Sequence, residues 1–82
     1  MLVRDLGGAQ LELVDTREGE VEIRVYLPDW EGVAHFPAPV ADQAYLQFDV
    51  IETPNDLEDL FRPWSDAETW ESYQDLRRQA GF

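Results

Sequence analysis

Two neighbouring segments that alternate apolar and polar residues constrain the fold of this chain more than any other feature. They are Gln10–Asp15 (QLELVD) and Glu20–Leu27 (EVEIRVYL), and the short stretch between them contains Gly19. A repeat of two residues is typical of strands that bury one face. Glycine readily adopts the left-handed conformation that a three-residue hairpin loop requires. The sequence therefore predicts a β-hairpin.

The register of this hairpin follows from the loop length and from the charges. A three-residue loop sets Leu13 opposite Ile23 on the buried face and Glu12 opposite Arg24 on the other. A shift by two residues would place Glu12 opposite Glu22, and like charges in that position are destabilising. Loop length, apolar matching and charge pairing thus predict the same register.

Two further strands are predicted downstream. Gly32–Phe36 is short and is followed by Pro37, which cannot donate a hydrogen bond to a strand ladder. Ala44–Glu52 (AYLQFDVIE) alternates apolar residues such as Leu46 and Phe48 with more polar ones. The sequence therefore predicts a third and a fourth strand.

The remaining chain has helical spacing. Thr53 suits an N-cap and Pro54 a first helical turn, while Pro63 is expected to end this first helix. Ser65 and Glu68 form a capping-box pattern that predicts a second helix. The predicted buried residues of the first helix are Leu57, Leu60 and Phe61. Those of the second are Trp70, Tyr73, Leu76 or the stem of Arg77, and Ala80, with Gly81 as the helix stop.

The predicted order ββββαα belongs to the α+β class. We expect a four-stranded antiparallel sheet that carries the two C-terminal helices on one face, as a two-layer sandwich. At 82 residues the chain is too short for two separate cores, so we expect one domain over residues 1–82.

Charge limits what such a domain can bind. Eighteen Asp and Glu residues face six basic residues, all of them arginine, and the formal net charge is −12. This balance repels nucleic acid and anionic membranes and attracts basic surfaces. The absence of lysine excludes a Schiff base or a P-loop lysine, and the absence of cysteine excludes disulfides and cysteine-ligated zinc.

No pattern in the sequence predicts catalysis. His35 is the only side chain that titrates near neutral pH unaided, and in the VAHF segment it alternates with apolar neighbours, as a surface or edge residue does. Paired carboxylates are uninformative in a chain so rich in acids, and no phosphate-binding or calcium-binding loop motif is present. We therefore expect no enzymatic activity, no catalytic residue, no metal and no cofactor.

The first ten residues lack the apolar core of a signal peptide, and no apolar stretch approaches the length of a membrane span. These features favour a cytoplasmic protein that does not associate with membranes.

The segment Asp29–Phe36 (DWEGVAHF) presents two alternatives. Asp29 to Gly32 is predicted to form a turn between the second and third strands. The indole of Trp30 can then pack back onto the sheet, or it can stay exposed between Asp29 and Glu31 as an interface anchor. Trp64, at the junction of the two helices, is a second candidate anchor.

The surplus acids raise the question of nucleic-acid mimicry. Spread evenly over a surface of about 5000 Å², the net charge amounts to one per ~400 Å², whereas a DNA duplex carries roughly one per 100 Å². A mimic must therefore concentrate its acids, and the acid-rich helical segment is where we expect this. The candidate partner-binding residues are Asp29, Trp30, Glu31, Asp56, Glu58, Asp59, Trp64, Glu68, Glu71 and Asp75.

Three functions compete at this stage. The first is a DNA-mimic inhibitor, in the style of anti-CRISPR or anti-restriction proteins, whose partner is a basic, nucleic-acid-handling protein. The second is an immunity protein or antitoxin that neutralises a basic toxin. The third is a structural or assembly protein that forms a homo-oligomer, with a homodimer as the simplest case, and whose acidity reflects a salt-rich cytoplasm.

Overall fold

The protein forms a four-stranded antiparallel sheet whose buried face is covered by helices, as the α+β prediction requires. The description rests on a computed structural model and covers residues 1–80. The strand order is β1-β2-β3-β4, so that sequence neighbours are spatial neighbours throughout. The strands are β1 Leu2–Asp5, β2 Gln10–Asp15, β3 Val21–Leu27 and β4 Trp30–Phe36. The helices are α1 Ala41–Val50, α2 Leu57–Trp64 and α3 Ala67–Ala80.

The β2–β3 hairpin has the predicted register. Leu13 lies opposite Ile23, and Glu12 lies opposite Arg24. Gly19 takes the predicted left-handed conformation with φ 81°, and Glu18 beside it does the same with φ 51°. Two consecutive residues with positive φ match the right-handed twist of the strands that they connect.

Strand β1 was not predicted from the sequence. Its four residues pair antiparallel with β2, and Leu6 to Ala9 form the connecting loop. Gly7 and Gly8 both have positive φ in this loop, at 66° and 106°. The pair Gly7-Gly8 was therefore a signal in the sequence for a turn before β2. The segment LVRD is too short to show the alternation of a strand.

The strand predicted over Ala44–Glu52 is wrong, because this segment forms most of helix α1. The helix buries Ala44 and Phe48, four residues apart on one face, and leaves Leu46 exposed. The fourth place in the sheet is taken by β1 instead. Arg4 of β1 donates hydrogen bonds to the carbonyl of Phe48 and, at 3.5 Å, to that of Asp49. A cation at this position is favoured by the dipole of the helix C-terminus.

The capping role predicted for Thr53 is confirmed, but α2 itself begins only at Leu57 and its end is shifted. Thr53 caps a short 3₁₀ turn, Pro54–Asp56, that leads into α2, and its capping box is completed by the side chain of Asp56. The helix includes Pro63 and ends at Trp64, one residue later than predicted. The fixed φ of Pro63 is close to the helical value, but proline cannot donate the hydrogen bond to residue 59, and α2 ends one residue later.

The capping box predicted for α3 is wrong. The side chain of Asp66, rather than Ser65, accepts the backbone N–H of Thr69 at 2.7 Å. Ser65 instead donates its hydroxyl to the carbonyl of Phe61 at 2.6 Å, which closes the end of α2. An ionised Asp at a helix N-terminus gains from the helix dipole as well as from the hydrogen bond. Gly81 and the side chain of Ala80 lie outside the described residues.

The core lies between the sheet and the three helices. The predicted stripe of α2 is fully buried, and so is Tyr73 of α3, while Trp70 and Leu76 are half-buried. The hydroxyl of Tyr73 has no hydrogen-bond partner among the described residues, and burial raises its pKa above 10.0. The opposite face of the sheet is half-exposed, which makes the molecule a two-layer structure.

Candidate partner-binding surface

Trp30 packs back into the molecule. It is the first residue of β4, so the turn is shorter than predicted and consists of Pro28 and Asp29. Its ring meets Phe61 edge-on at 5.3 Å between centroids, and its Nε1–H donates to the hydroxyl oxygen of Ser72 at 2.8 Å. These contacts favour the packing alternative over that of a free interface anchor.

The indole lies directly against the backbone of Gly32. A Cβ atom at this position would come within 2.3 Å of a Trp30 ring carbon, so glycine leaves the space that the ring occupies. Trp30 therefore joins the β3–β4 turn to α3 through packing on one side and a hydrogen bond on the other. Because Trp30 is bonded to α3, the neighbouring turn residue Asp29 is held close to that helix.

Asp29 and Asp75 line the same shallow cleft, together with Ser72 and Leu76. The cleft volume is about 410 Å³. Two carboxylates that are far apart in the sequence are thus brought to one end of the molecule. Asp29 is exposed and forms no ion pair among the described residues, whereas Asp75 is bonded to Arg78.

Glu68, Glu71 and Asp75 form an exposed row along α3. Their spacing of three and four residues covers about 10 Å of helix axis, or roughly one carboxylate per 5 Å. A single DNA strand carries one phosphate per 3.4 Å of axis, so the carboxylates of this row are about two-thirds as closely spaced as the phosphates of a strand, and one of them, Asp75, is paired with Arg78. Glu68 and Glu71 have no ion pair within residues 1–80. We call Asp29, Glu68, Glu71 and Asp75 the acidic end.

The acid Glu58 of α2, unlike Glu68 and Glu71, forms ion pairs within the protein. Glu58 is bound by Arg62 at 3.3 Å and by Arg77, and these arginines also lie over the rings of Trp70 and Tyr73. Glu58 therefore belongs to the α2–α3 contact and presents little free charge.

Asp56 accepts the backbone N–H groups of Glu52 and Thr53 at 2.9 and 3.1 Å. These hydrogen bonds hold the pKa of Asp56 below its ordinary value of 3.8. Asp59, by contrast, is exposed and has no ion pair in the described part of the chain. Among the α2 candidates, Asp59 is thus the one that is free to meet a partner.

The two remaining candidates lie elsewhere. Trp64 is half-buried, with its ring 4.4 Å from that of Phe36, so it contributes to the core. Glu31 is exposed on the outer face of β4, where it shares a cleft with Asp66. The structure therefore brings together four of the ten candidates at the acidic end.

Other acids are spread over both layers. Asp42 and Asp49 are exposed on α1, and Glu12 and Glu22 lie on the outer face of the sheet. The expected concentration of charge on the helical layer is therefore partial.

His35 lies on the surface, as expected. Its Nε2 is 3.6 Å from a Glu20 carboxylate oxygen, and its Nδ1 is 3.8 Å from one of Glu22. Within residues 1–80 there is no group of three or more His, Cys, Asp or Glu side chains arranged to hold a metal ion. The helices in that range are also too short or too polar to span a bilayer.

Comparison with known proteins adds no relative. No protein-family model matches the chain, and neither the curated proteins nor the solved structures include a significant match.

Two surface features were missed from the sequence. One is an apolar cleft beside Asp29, whose walls come from four separate segments and so leave no local signal. The other is the exposed apolar side of α1, with Leu46 and Val50. These two residues are four apart, which is a helical signal, but their alternation with polar residues also matches a strand repeat.

Proposed function

We propose that the protein is a non-catalytic acidic binding protein that occupies the basic, nucleic-acid-binding surface of a partner protein. The observation that carries the proposal is the exposed row of carboxylates on α3, extended by Asp29. Glu68 and Glu71 of this row have no ion pair within residues 1–80, and their carboxylates can compete with phosphates for a cationic groove.

The binding energy in this proposal is electrostatic. Exposed carboxylates that face partner arginines or lysines accelerate association and are screened by salt, because the Debye length is only about 8–10 Å at physiological ionic strength. The complex should therefore weaken as salt rises. The half-buried tryptophans support the surface from beneath.

Two biological settings fit this physics equally. One is an inhibitor of a nuclease or defence complex that mimics DNA, in the style of anti-CRISPR or anti-restriction proteins. The other is an immunity protein or antitoxin for a basic toxin. A toxin gene next to the gene for this chain would favour the second setting.

The test is capture of the partner from host lysate in low salt, followed by elution with a salt gradient and identification by mass. The proposal expects a basic, nucleic-acid-binding protein whose capture is prevented by excess duplex nucleic acid. Glu68→Lys/Glu71→Lys bait should lose it by at least ~10-fold. Asp42→Lys/Asp49→Lys bait changes the net charge equally on α1 and should retain it. Equal loss with both baits would contradict a specific acidic surface.

A homo-oligomer is the second candidate, and a different surface favours it. Six of the seven exposed large apolar side chains in residues 1–80 belong to Met1–Val3 or to α1. Arg4 ties β1 to the end of α1, so these elements are adjacent. Within residues 1–80, the outer edge of β1 pairs with no other strand and is open to strand addition. Leu2 lies on the same face of the sheet as its partner Leu13, which is the face that α1 covers. We call Leu2, Leu46 and Val50 the apolar flank.

Salt separates the two candidates. Two copies that each carry a net charge of −12 repel one another, so added salt should strengthen self-association. Added salt should weaken binding to a basic partner. Light scattering at low and high salt therefore tests the assembly function independently of any partner.

A further inference from the structure

The strongest unassigned feature is an apolar cleft of about 510 Å³ next to the acidic end. Its walls are carbon-rich and come from the end of β3, the β3–β4 turn, the 3₁₀ turn before α2, and α3. The wall residues that matter here are Leu27, Pro28, Pro54 and Leu76, with Gly8 at one edge and Asp29 as the charged group.

This cleft continues into the acidic one. Asp29 and Leu76 line both clefts, and the second adds Ser72 and Asp75. A ligand that follows the surface therefore passes from a hydrocarbon wall to a pair of carboxylates. We call these joined clefts the Asp29 groove.

The groove is held in shape before any ligand arrives. Prolines at positions 28 and 54 restrict two of its walls, since proline fixes φ. The hydrogen bond from the Trp30 indole to Ser72 holds a third wall against the turn. A preformed site loses less conformational entropy on binding than a flexible one does.

The chemistry of the groove selects its occupant. A purely apolar side chain would leave the carboxylate of Asp29 without a partner, and a small cation would not use the hydrocarbon wall. Arginine matches both parts, because its three-carbon stem packs on apolar surface while its planar guanidinium binds carboxylates through paired hydrogen bonds. Its charge also complements a protein of net charge −12.

We infer that the Asp29 groove receives an arginine side chain of the basic partner, with the stem against Leu27, Pro28 and Leu76 and the guanidinium on the carboxylate of Asp29, beside the Asp75–Arg78 pair. The inference rests on the proposed function and adds a specific anchor to it. The row of acids on α3 then provides general attraction, and the groove provides orientation.

The test uses a blocked Leu-Arg-Leu tripeptide and the same peptide with citrulline, which replaces the charged guanidinium by a neutral group of nearly equal shape. The ¹⁵N-labelled protein provides a built-in reporter, since the Trp30 indole N–H donates to Ser72 in the groove wall. We expect saturable shifts of this signal by the arginine peptide, with a Kd in the millimolar range (about −4 kcal/mol), and at least ~10-fold weaker binding of citrulline.

Two matched variants locate the site. Asp29→Asn removes the shared carboxylate and should weaken the arginine peptide by at least ~5-fold, whereas Asp42→Asn on α1 removes the same charge elsewhere and should not. Both positions are exposed, so both variants should fold. Equal binding of the two peptides, or equal affinity of the two variants, would overturn the inference.

The outcomes separate this inference from the proposed function. If partner capture depends on Glu68 and Glu71 but the peptide titration does not depend on Asp29, only the groove assignment fails. If the peptide binds as expected and no basic protein is captured, the proposed function fails.

Discussion

The acidic end and the apolar flank are both exposed, yet they are supported in different ways. The acidic end stands on a cluster of aromatic rings, in which Trp30 contacts Phe61 at 5.3 Å and Tyr73 at 5.8 Å. The apolar flank stands on α1, which buries only Ala44 and Phe48. A surface that must present charges in fixed positions needs rigid support, whereas an apolar surface binds by area and tolerates adjustment.

Exposed acids are not equivalent in the two regions. Asp42 and Asp49 on α1 are exposed like the acids of α3, but they are not among the residues that line the Asp29 groove. At the acidic end, by contrast, a turn and a helix contribute carboxylates to one cleft. The predictions below test this difference, beginning with the largest expected effect.

The first prediction concerns the support beneath the two surfaces. Trp30→Ala should lower the free energy of unfolding by about 3 kcal/mol, because it removes the ring that joins the turn to α3. Leu46→Ala, at an exposed position of the apolar flank, should change it by less than about 0.5 kcal/mol. Urea denaturation measures both, and similar losses would contradict the contrast.

The second prediction concerns the space under the indole. Gly32→Ala should cost about 1–3 kcal/mol, because the new Cβ atom would meet the Trp30 ring at 2.3 Å. In a Trp30→Ala background the same change should cost much less. A double-mutant cycle measures this coupling, and additive effects would show that the indole does not occupy that space.

The third prediction concerns the start of α3. The backbone N–H of Thr69 holds the pKa of Asp66 below 3.8, so the ionised cap stabilises the fold above about pH 4. This contribution is lost as the pH falls through the lowered pKa. Asp66→Ala should therefore lower the melting temperature by a few degrees at pH 7 and by much less near pH 2.

Asp42 provides the control for this third prediction. It lies in the first turn of α1, where no side chain caps the helix. Asp42→Ala should therefore shift the melting temperature less than Asp66→Ala at pH 7. The same shift for both variants would mean that the Asp66 cap adds nothing specific.

The fourth prediction concerns substitutions at the apolar flank, for which we expect the smallest change in the free energy of unfolding. Leu2→Lys/Leu46→Lys should alter the free energy of unfolding by less than about 0.5 kcal/mol, since both side chains are about half-exposed. If the wild type self-associates at high salt, this variant should be monomeric. Val33→Lys, on the other edge strand, should still associate. Light scattering that shows the same mass for both variants would exclude the flank as the contact.

The elements that could be predicted from the sequence are those with local, redundant signals. The β2–β3 register was correct because loop length, apolar matching and the Glu12–Arg24 pair agreed. Helix α1 was mistaken for a strand because the apolar residues of AYLQFDV alternate with polar ones, as in a strand. The same segment also has apolar residues four apart, Ala44 and Phe48, as in a helix. The place beside β2 that this segment would have filled is occupied by β1, whose Arg4 contacts α1 from 44 positions away, and no local pattern in the segment shows this.

The site was less predictable than the fold for the same reason. The acids of α3 were visible from their spacing, but the role of Trp30 depends on Ser72, which is 42 residues away. The hydrocarbon wall of the Asp29 groove needs four segments to meet, and none of them shows it alone. Glu58 was chosen for its charge, whereas its contacts with Arg62 and Arg77 make it a structural residue.

The most direct test of the central proposal is the affinity for the captured partner, measured at about 50 mM and about 200 mM salt for the wild type, Glu68→Lys/Glu71→Lys and Asp42→Lys/Asp49→Lys. We expect the wild type to lose at least ~10-fold in affinity over this range and the α3 variant to bind weakly at both concentrations. The α1 variant should follow the wild type. An affinity that does not depend on salt, or equal losses in the two variants, would contradict the account.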